Sequence, residues 1–121
     1  MKLKDMQNKF KLDYDSEEDL LYLYNENKKS KGSIELGELV VDLEKKEEVV
    51  GLEIFEASKY LSELTNKKIS KESLKKIEKA SISFISKKGT ILIKILLPIK
   101  KTEVPATIAI QNMNYKCPVT A

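Results

Sequence analysis

The sequence contains no histidine, no arginine and no tryptophan. Histidine is the commonest general base and metal ligand, so no Ser-His-Asp or Cys-His centre can form within one chain. All 22 basic residues are lysines. Arginine reads guanine, phosphate and carboxylate through two parallel hydrogen bonds, and its absence weakens a sequence-specific nucleic-acid reading. Lysine can still hold a phosphate as a point charge. Cys117 is the single cysteine, which excludes an intrachain disulfide and a Cys/His zinc site. A cytoplasmic setting fits that usage best, and nothing predicted beside Cys117 lowers its pKa. Long apolar runs are missing too. The longest, Thr90–Ile99, is broken by Lys94 and contains Pro98, far short of the about 20 residues that a spanning helix needs. Met1–Phe10 is polar, so neither a secretory leader nor a membrane partner is expected.

What is present describes a globular protein. Of 121 residues, 41% are hydrophobic and 34% charged, enough for one core rather than a disordered chain. The net charge of +3 is too small to mark a polyanion binder. Abundant Lys, Glu and Ile suit a heat-adapted intracellular protein, and equally a genome rich in A/T codons.

The polar and apolar residues alternate over most of the chain. Phe10, Leu12 and Tyr14 share one face of a strand over Met6–Tyr14, and Leu21 and Leu23 oppose Tyr22 and Tyr24 in a second over Asp19–Tyr24. Asp15-Ser16-Glu17-Glu18 reads as the turn between them. A short strand over Ser33–Leu36 turns at Gly37. Leu39, Val41 and Leu43 line the next strand. After a charged turn at Lys45–Glu47, Val50, Leu52 and Ile54 line another. Gly51 within that strand predicts a bulge or a close backbone approach. The period then changes. Ala57, Tyr60, Leu61 and Leu64 form a helical stripe with Ser58 as its N-cap, and Ser70 caps a second short helix. Strands resume over Ala80–Ser86 and Thr90–Leu97, joined by Lys87-Lys88-Gly89. Pro98 and Pro105 bracket a charged link, and Pro105 makes the last strand an edge strand or restricts it to a strand start.

The predicted fold is α+β: an antiparallel sheet of six to eight strands, as one sheet or two layers, with two short helices in mid-chain. It forms one domain over 1–121, divided as a β-meander (1–56), two helices (57–79), a hairpin plus edge strand (80–110) and a loose tail (111–121). The first helix is predicted to cross the face made by Leu39, Val41, Val50 and Leu52.

Several pieces of the first half resemble the domain of unknown function 2283 family of small prokaryotic proteins. They are Tyr14-Asp15, Asp19, Leu21-Tyr22-Leu23, Val41-Asp42, Val50-Gly51-Leu52-Glu53-Ile54 and Ala57-Ser58, within residues 9–64. One departure is the turn before Val50, which is Glu44-Lys45-Lys46-Glu47 where the family usually carries glycine. The resemblance implies a small β-meander followed by a helix, and no chemistry.

Five acids, Asp13, Asp15, Asp19, Asp42 and Glu53, fall within the matched pieces. Turn chemistry explains Asp15 and Asp19, and solvated strand faces explain the others. Asp42 and Glu53 are the candidate metal ligands, because they occupy comparable non-core faces of adjacent strands. No catalytic residue and no cofactor is expected. Tyr22 and Tyr24 either stack a base or sugar or lie beneath a covering layer, the helix or a partner subunit. Lysines at 28–31, 67–71, 75–79 and 100–101 read as solvated surface rather than as a nucleic-acid patch. The favoured function is a non-enzymatic interaction module, a homodimer or the binder of a protein partner, using a β edge or an apolar face such as Leu92/Leu96. The alternatives are a cation- or small-ligand site at Asp42/Glu53 and a weak lysine-mediated nucleic-acid binder.

Overall fold

A computed structural model describes residues 8–44 and 48–111. The strands are β1 (Asn8–Asp15), β2 (Leu20–Tyr24), β3 (Gly32–Leu36), β4 (Leu39–Leu43) and β5 (Val49–Ile54), then β6 (Lys79–Lys87), β7 (Thr90–Ile99) and β8 (Thr102–Ile110). Between β5 and β6 lie the helices α1 (Ala57–Thr65) and α2 (Lys71–Lys75). All eight strands join one antiparallel sheet in the order β3-β4-β5-β2-β1-β6-β7-β8. The turn at Lys45–Glu47, the tail over 112–121 and Cys117 lie outside the described residues.

The alternation seen in sequence becomes an inner and an outer face. Phe10, Leu12, Leu21, Leu23, Leu52, Ile54, Ile82, Ile93, Ile95 and Ile108 are buried together on the inner face. Ala57 and Leu61 of α1 and Leu74 of α2 enter the same core. The sheet curls over the helices until α1 lies against β8. The contact with β8 comes in addition to the expected face of β4 and β5, whose Leu39, Val41 and Leu52 lie in the same core as Ala57 and Leu61. Leu64, the last member of the helical stripe, is 37% exposed at the helix end.

The first half is not a simple meander, because β5 returns beside β2 and leaves the β3–β4 hairpin outside it. Gly51 marks the predicted irregularity: the β4–β5 register shifts between Asp42 and Leu43. The extra residue takes Val50 out of the core that Val49, Leu52 and Ile54 share and places it beside Tyr24 and Asp42. The expected inner row Val50–Leu52–Ile54 is corrected at its first member.

The second half is held by tight turns. Lys88 and Gly89 both take positive φ between paired Lys87 and Thr90, the arrangement that matches strand twist. Lys100 and Lys101 do the same between Ile99 and Thr102, so the expected charged link is only a two-residue turn. Pro98 lies inside β7, beyond the residues of β7 that pair with β6, where its missing N–H leaves no ladder bond unmade. Pro105 sits on the edge strand β8, as expected.

Leu52 is fully buried at the centre of the β4–β5–β2 face. Leu52→Ala is expected to lower the unfolding free energy by ~2–5 kcal/mol in a denaturant titration. Near-wild-type stability would contradict this register.

Candidate functional site

Two groups of polar residues stand out, one at a corner and one on the outer face. The corner forms where β5 hands the chain to α1. Glu56, not Ser58, is the N-cap residue of α1, with φ of 52° and no capping bond from its own side chain. Asp19, in the β1–β2 turn, supplies the cap instead. Its carbonyl accepts the Ala57 N–H at 2.8 Å, and its carboxylate accepts the Ser58 N–H at 3.1 Å and the Ser58 hydroxyl at 2.8 Å. The Tyr14 hydroxyl donates to the same carboxylate at 2.5 Å. Asp19 itself has φ of 52°, a conformation that aspartate tolerates better than most residues. Burial acts to raise the Asp19 pKa, but the hydrogen bonds from Tyr14 and Ser58 and the Lys71 charge hold it below the usual carboxylate value. The Tyr14 hydroxyl is pushed up, first by burial and then by its bond to Asp19. Asp15 does perform turn chemistry, accepting the N–H groups of Glu17 and Glu18 at 3.0 and 3.2 Å.

On the outer face, register sets two parallel rows. One runs Asp13–Tyr22–Glu53–Val40–Glu35 and the other Lys11–Tyr24–Gly51–Asp42–Ser33. Asp42 and Glu53 are therefore diagonal neighbours, as the sequence predicted. Asp42 is not a solvated residue, however: it is 6% exposed, its Oδ1 accepting the Ser33 hydroxyl at 2.7 Å. Its Oδ2 lies 2.8 Å from where a Cβ on residue 51 would sit, so glycine there makes room for the carboxylate. Burial raises the Glu53 pKa, and the Asp42 charge adds to it. Neither acid has an ion-pair partner among the described residues.

Tyr22 and Tyr24 stack on each other with ring centroids 4.9 Å apart and planes inclined by 23°. The helices lie on the opposite face, which corrects the expectation that α1 covers these rings. A hollow of about 280 Å³ opens here, lined by both tyrosines with Asn25, Glu26, Lys28, Ser30, Asp42 and Val50. Lys28 turns to Glu48 at 2.7 Å and Glu44 at 3.7 Å, and Lys11 to Glu26 at 3.0 Å. A smaller hollow of about 120 Å³ adjoins the start of α1, between Glu38, Glu56, Lys59, Tyr60 and Glu63. Among the described residues, no three acids or cysteines converge in a metal-binding group. No helix among them is long and apolar enough to cross a membrane.

Of the sequence candidates, the structure brings Asp42 and Glu53 together with Tyr22 and Tyr24, while Asp13 lies at the far end of one row and Asp15 in the turn. The role of Asp19 was missed. Its partner lies 39 residues away, and no local spacing signals a cap from another element.

Residues 11–58 match the family described as "Protein of unknown function (DUF2283)". An uncharacterised protein of Methanocaldococcus jannaschii is 45% identical over 51 residues, covering 42% of this chain and 44% of that protein. A Methanosarcina mazei protein named "Putative hypoxanthine phosphoribosyltransferase" is 38% identical over 48 residues, covering 40% of this chain and 39% of its own. The chain thus spans less than half the length of these curated relatives. No solved structure matches.

Removing the cap should weaken the corner: Asp19→Ala is expected to cost ~0.5–2 kcal/mol at neutral pH. Because the folded-state pKa of Asp19 is lowered, its contribution is present above the unfolded-state value and lost as the pH falls through the folded one. The variant and wild type should therefore converge in acid, as read by denaturant midpoints. Glu53 has the opposite sign. Its folded pKa is raised, so its ionisation opposes folding as the pH rises. Glu53→Gln is expected to increase the thermal midpoint at neutral pH and to lose that advantage below the carboxylate range.

Proposed function

We propose, starting from a chain whose residues 11–58 belong to the DUF2283 family of unknown function, that it is a non-enzymatic interaction module pairing with a second copy of itself through the outer face of β6–β8. The observation that carries this reading is an apolar row exposed in register. Ile85 pairs with Leu92 and Leu92 with Ala109, and the two large side chains are 37% and 42% exposed. Four residues along, past exposed Lys94, half-buried Leu96 lies beside exposed Pro105. Scattered exposed apolar residues are ordinary, whereas contiguous ones mark contact surfaces. The inner faces of these strands already contribute to the core, while Ile85 and Leu92 face outward.

The other readings have less support. Lys11, Lys28 and Lys75 pair with Glu26, Glu44 or Glu48, and Glu72, which argues against a face prepared for nucleic acid. A cytoplasmic setting belongs to the same proposal.

Sedimentation velocity across a wide concentration range tests the pairing. The wild-type chain is expected to shift toward a dimer with rising concentration, and Leu92→Lys to remain a monomer with an unchanged circular dichroism spectrum. A wild type that is monomeric at every concentration would overturn the proposal.

A further inference from the structure

The hollow on the other half of the outer face has a chemistry of its own. Asp42 is almost wholly buried, yet only Oδ1 is hydrogen-bonded; Oδ2 takes no hydrogen bond among the described residues. A buried carboxylate oxygen without a donor is costly, and native structures seldom leave one unmet. Glu53 lies diagonally beside it, and the two like charges face a common surface. Among the described residues, the nearby lysines do not neutralise them. Lys28 lines the hollow but directs its ammonium to Glu44 and Glu48, and Lys11 directs its own to Glu26. The remaining walls are the stacked phenol rings, Asn25, Glu26, Ser30 and the side chain of Val50, which the bulge at Gly51 turns outward.

We infer that this hollow binds a small organic ammonium ion, a compact alkylamine cation whose charged head meets Asp42, with Glu53 beside the hollow on the same face, and whose carbon stem lies along Tyr22, Tyr24 and Val50. An ammonium group supplies an N–H donor to Asp42 Oδ2 and one positive charge against the two carboxylates. Aromatic faces attract such a cation and also cover its apolar stem. A hard divalent ion is served less well: it takes six or more oxygen ligands, and two carboxylates beside a phenol pair do not form that cage. The inference is independent of the self-pairing proposal, because β1 separates this half of the sheet from β6–β8.

Amide chemical shifts of the full-length chain, followed by NMR at constant ionic strength, test it. Putrescine and tetramethylammonium are titrated in parallel with the diol isostere of putrescine and with calcium chloride. Saturable shifts confined to residues around Tyr24, Asp42 and Gly51 are expected with the ammonium probes and none with the diol. Glu53→Gln and Tyr24→Leu, whose amide spectra report their folding directly, should each weaken putrescine binding by about tenfold, as expected for loss of one charged or cation–π contact. No saturable shift with either ammonium probe would overturn the inference. So would an equal response to the diol, or saturation by calcium at the same amides without an ammonium response.

Discussion

The carboxylate of Asp19 receives three donors, the Tyr14 hydroxyl and the N–H and hydroxyl of Ser58, while its carbonyl takes the Ala57 N–H. This joint determines where the chain goes after β5. A helix start leaves N–H groups without partners, and α1 has neither a capping side chain of its own nor an acid in its first turn. The turn between β1 and β2 supplies both the acceptor and the negative charge. Helix direction is thereby tied to the strand pair at the sheet centre, and Ala57 and Leu61 enter the core from that fixed starting point. The chain then runs through α2 and returns as β6 beside β1. One side chain thus couples the β1–β2 hairpin to the route by which the second half reaches the sheet.

The bulge at Gly51 exerts a comparable control on the outer face. An uninterrupted β5 would leave Val50 inside with Leu52 and Ile54. With the bulge, Val49 serves the core and Val50 the hollow. Glycine is required there because Asp42 Oδ2 occupies the space of a Cβ. A single residue therefore shapes two features at once, the register of the β4–β5 pair and the burial of a carboxylate. The raised Glu53 pKa reflects first its own burial and then the charge of its diagonal neighbour Asp42.

The strands were legible because their signal is local. Alternation over β1, β2, β4 and β7 identified the core residues, and Lys88-Gly89 and Gly37 marked turns through positive φ. What was not legible depended on partners distant in sequence. Ser58 has the composition of an N-cap, yet Asp19 performs that task across the β1–β2 corner. The Lys100–Lys101 turn carries no glycine or asparagine, so two lysines in the left-handed region leave no sequence signal. The curl that brings α1 to β8 is a property of the whole sheet, and periodicity reports only which face of an element is apolar, not what covers it. The same reason hid the burial of Asp42. Sequence placed it on the non-core face, but its exposure was set by Ser33, Gly51 and the tyrosines on neighbouring strands.

The matched region ends at Ser58, the residue whose N–H and hydroxyl Asp19 holds. It therefore contains the joint but not the helix that the joint orients. Strands β1 to β5 alone would leave Phe10, Leu21, Leu23, Val41, Leu52 and Ile54 as one open apolar face, which no isolated sheet can present to water. In this chain α1, α2 and β6–β8 close that face. The division separates two tasks. The matched strands bring the corner and the acidic, aromatic outer surface, while the remainder provides the cover and an apolar outer surface of its own. Binding chemistry on the outer faces is thus physically separable from the packing beneath them, since side chains alternate strictly between the two. Substitutions along Tyr22, Tyr24 and Glu53, or along Ile85 and Leu92, can alter the outer surface while leaving the inner rows intact.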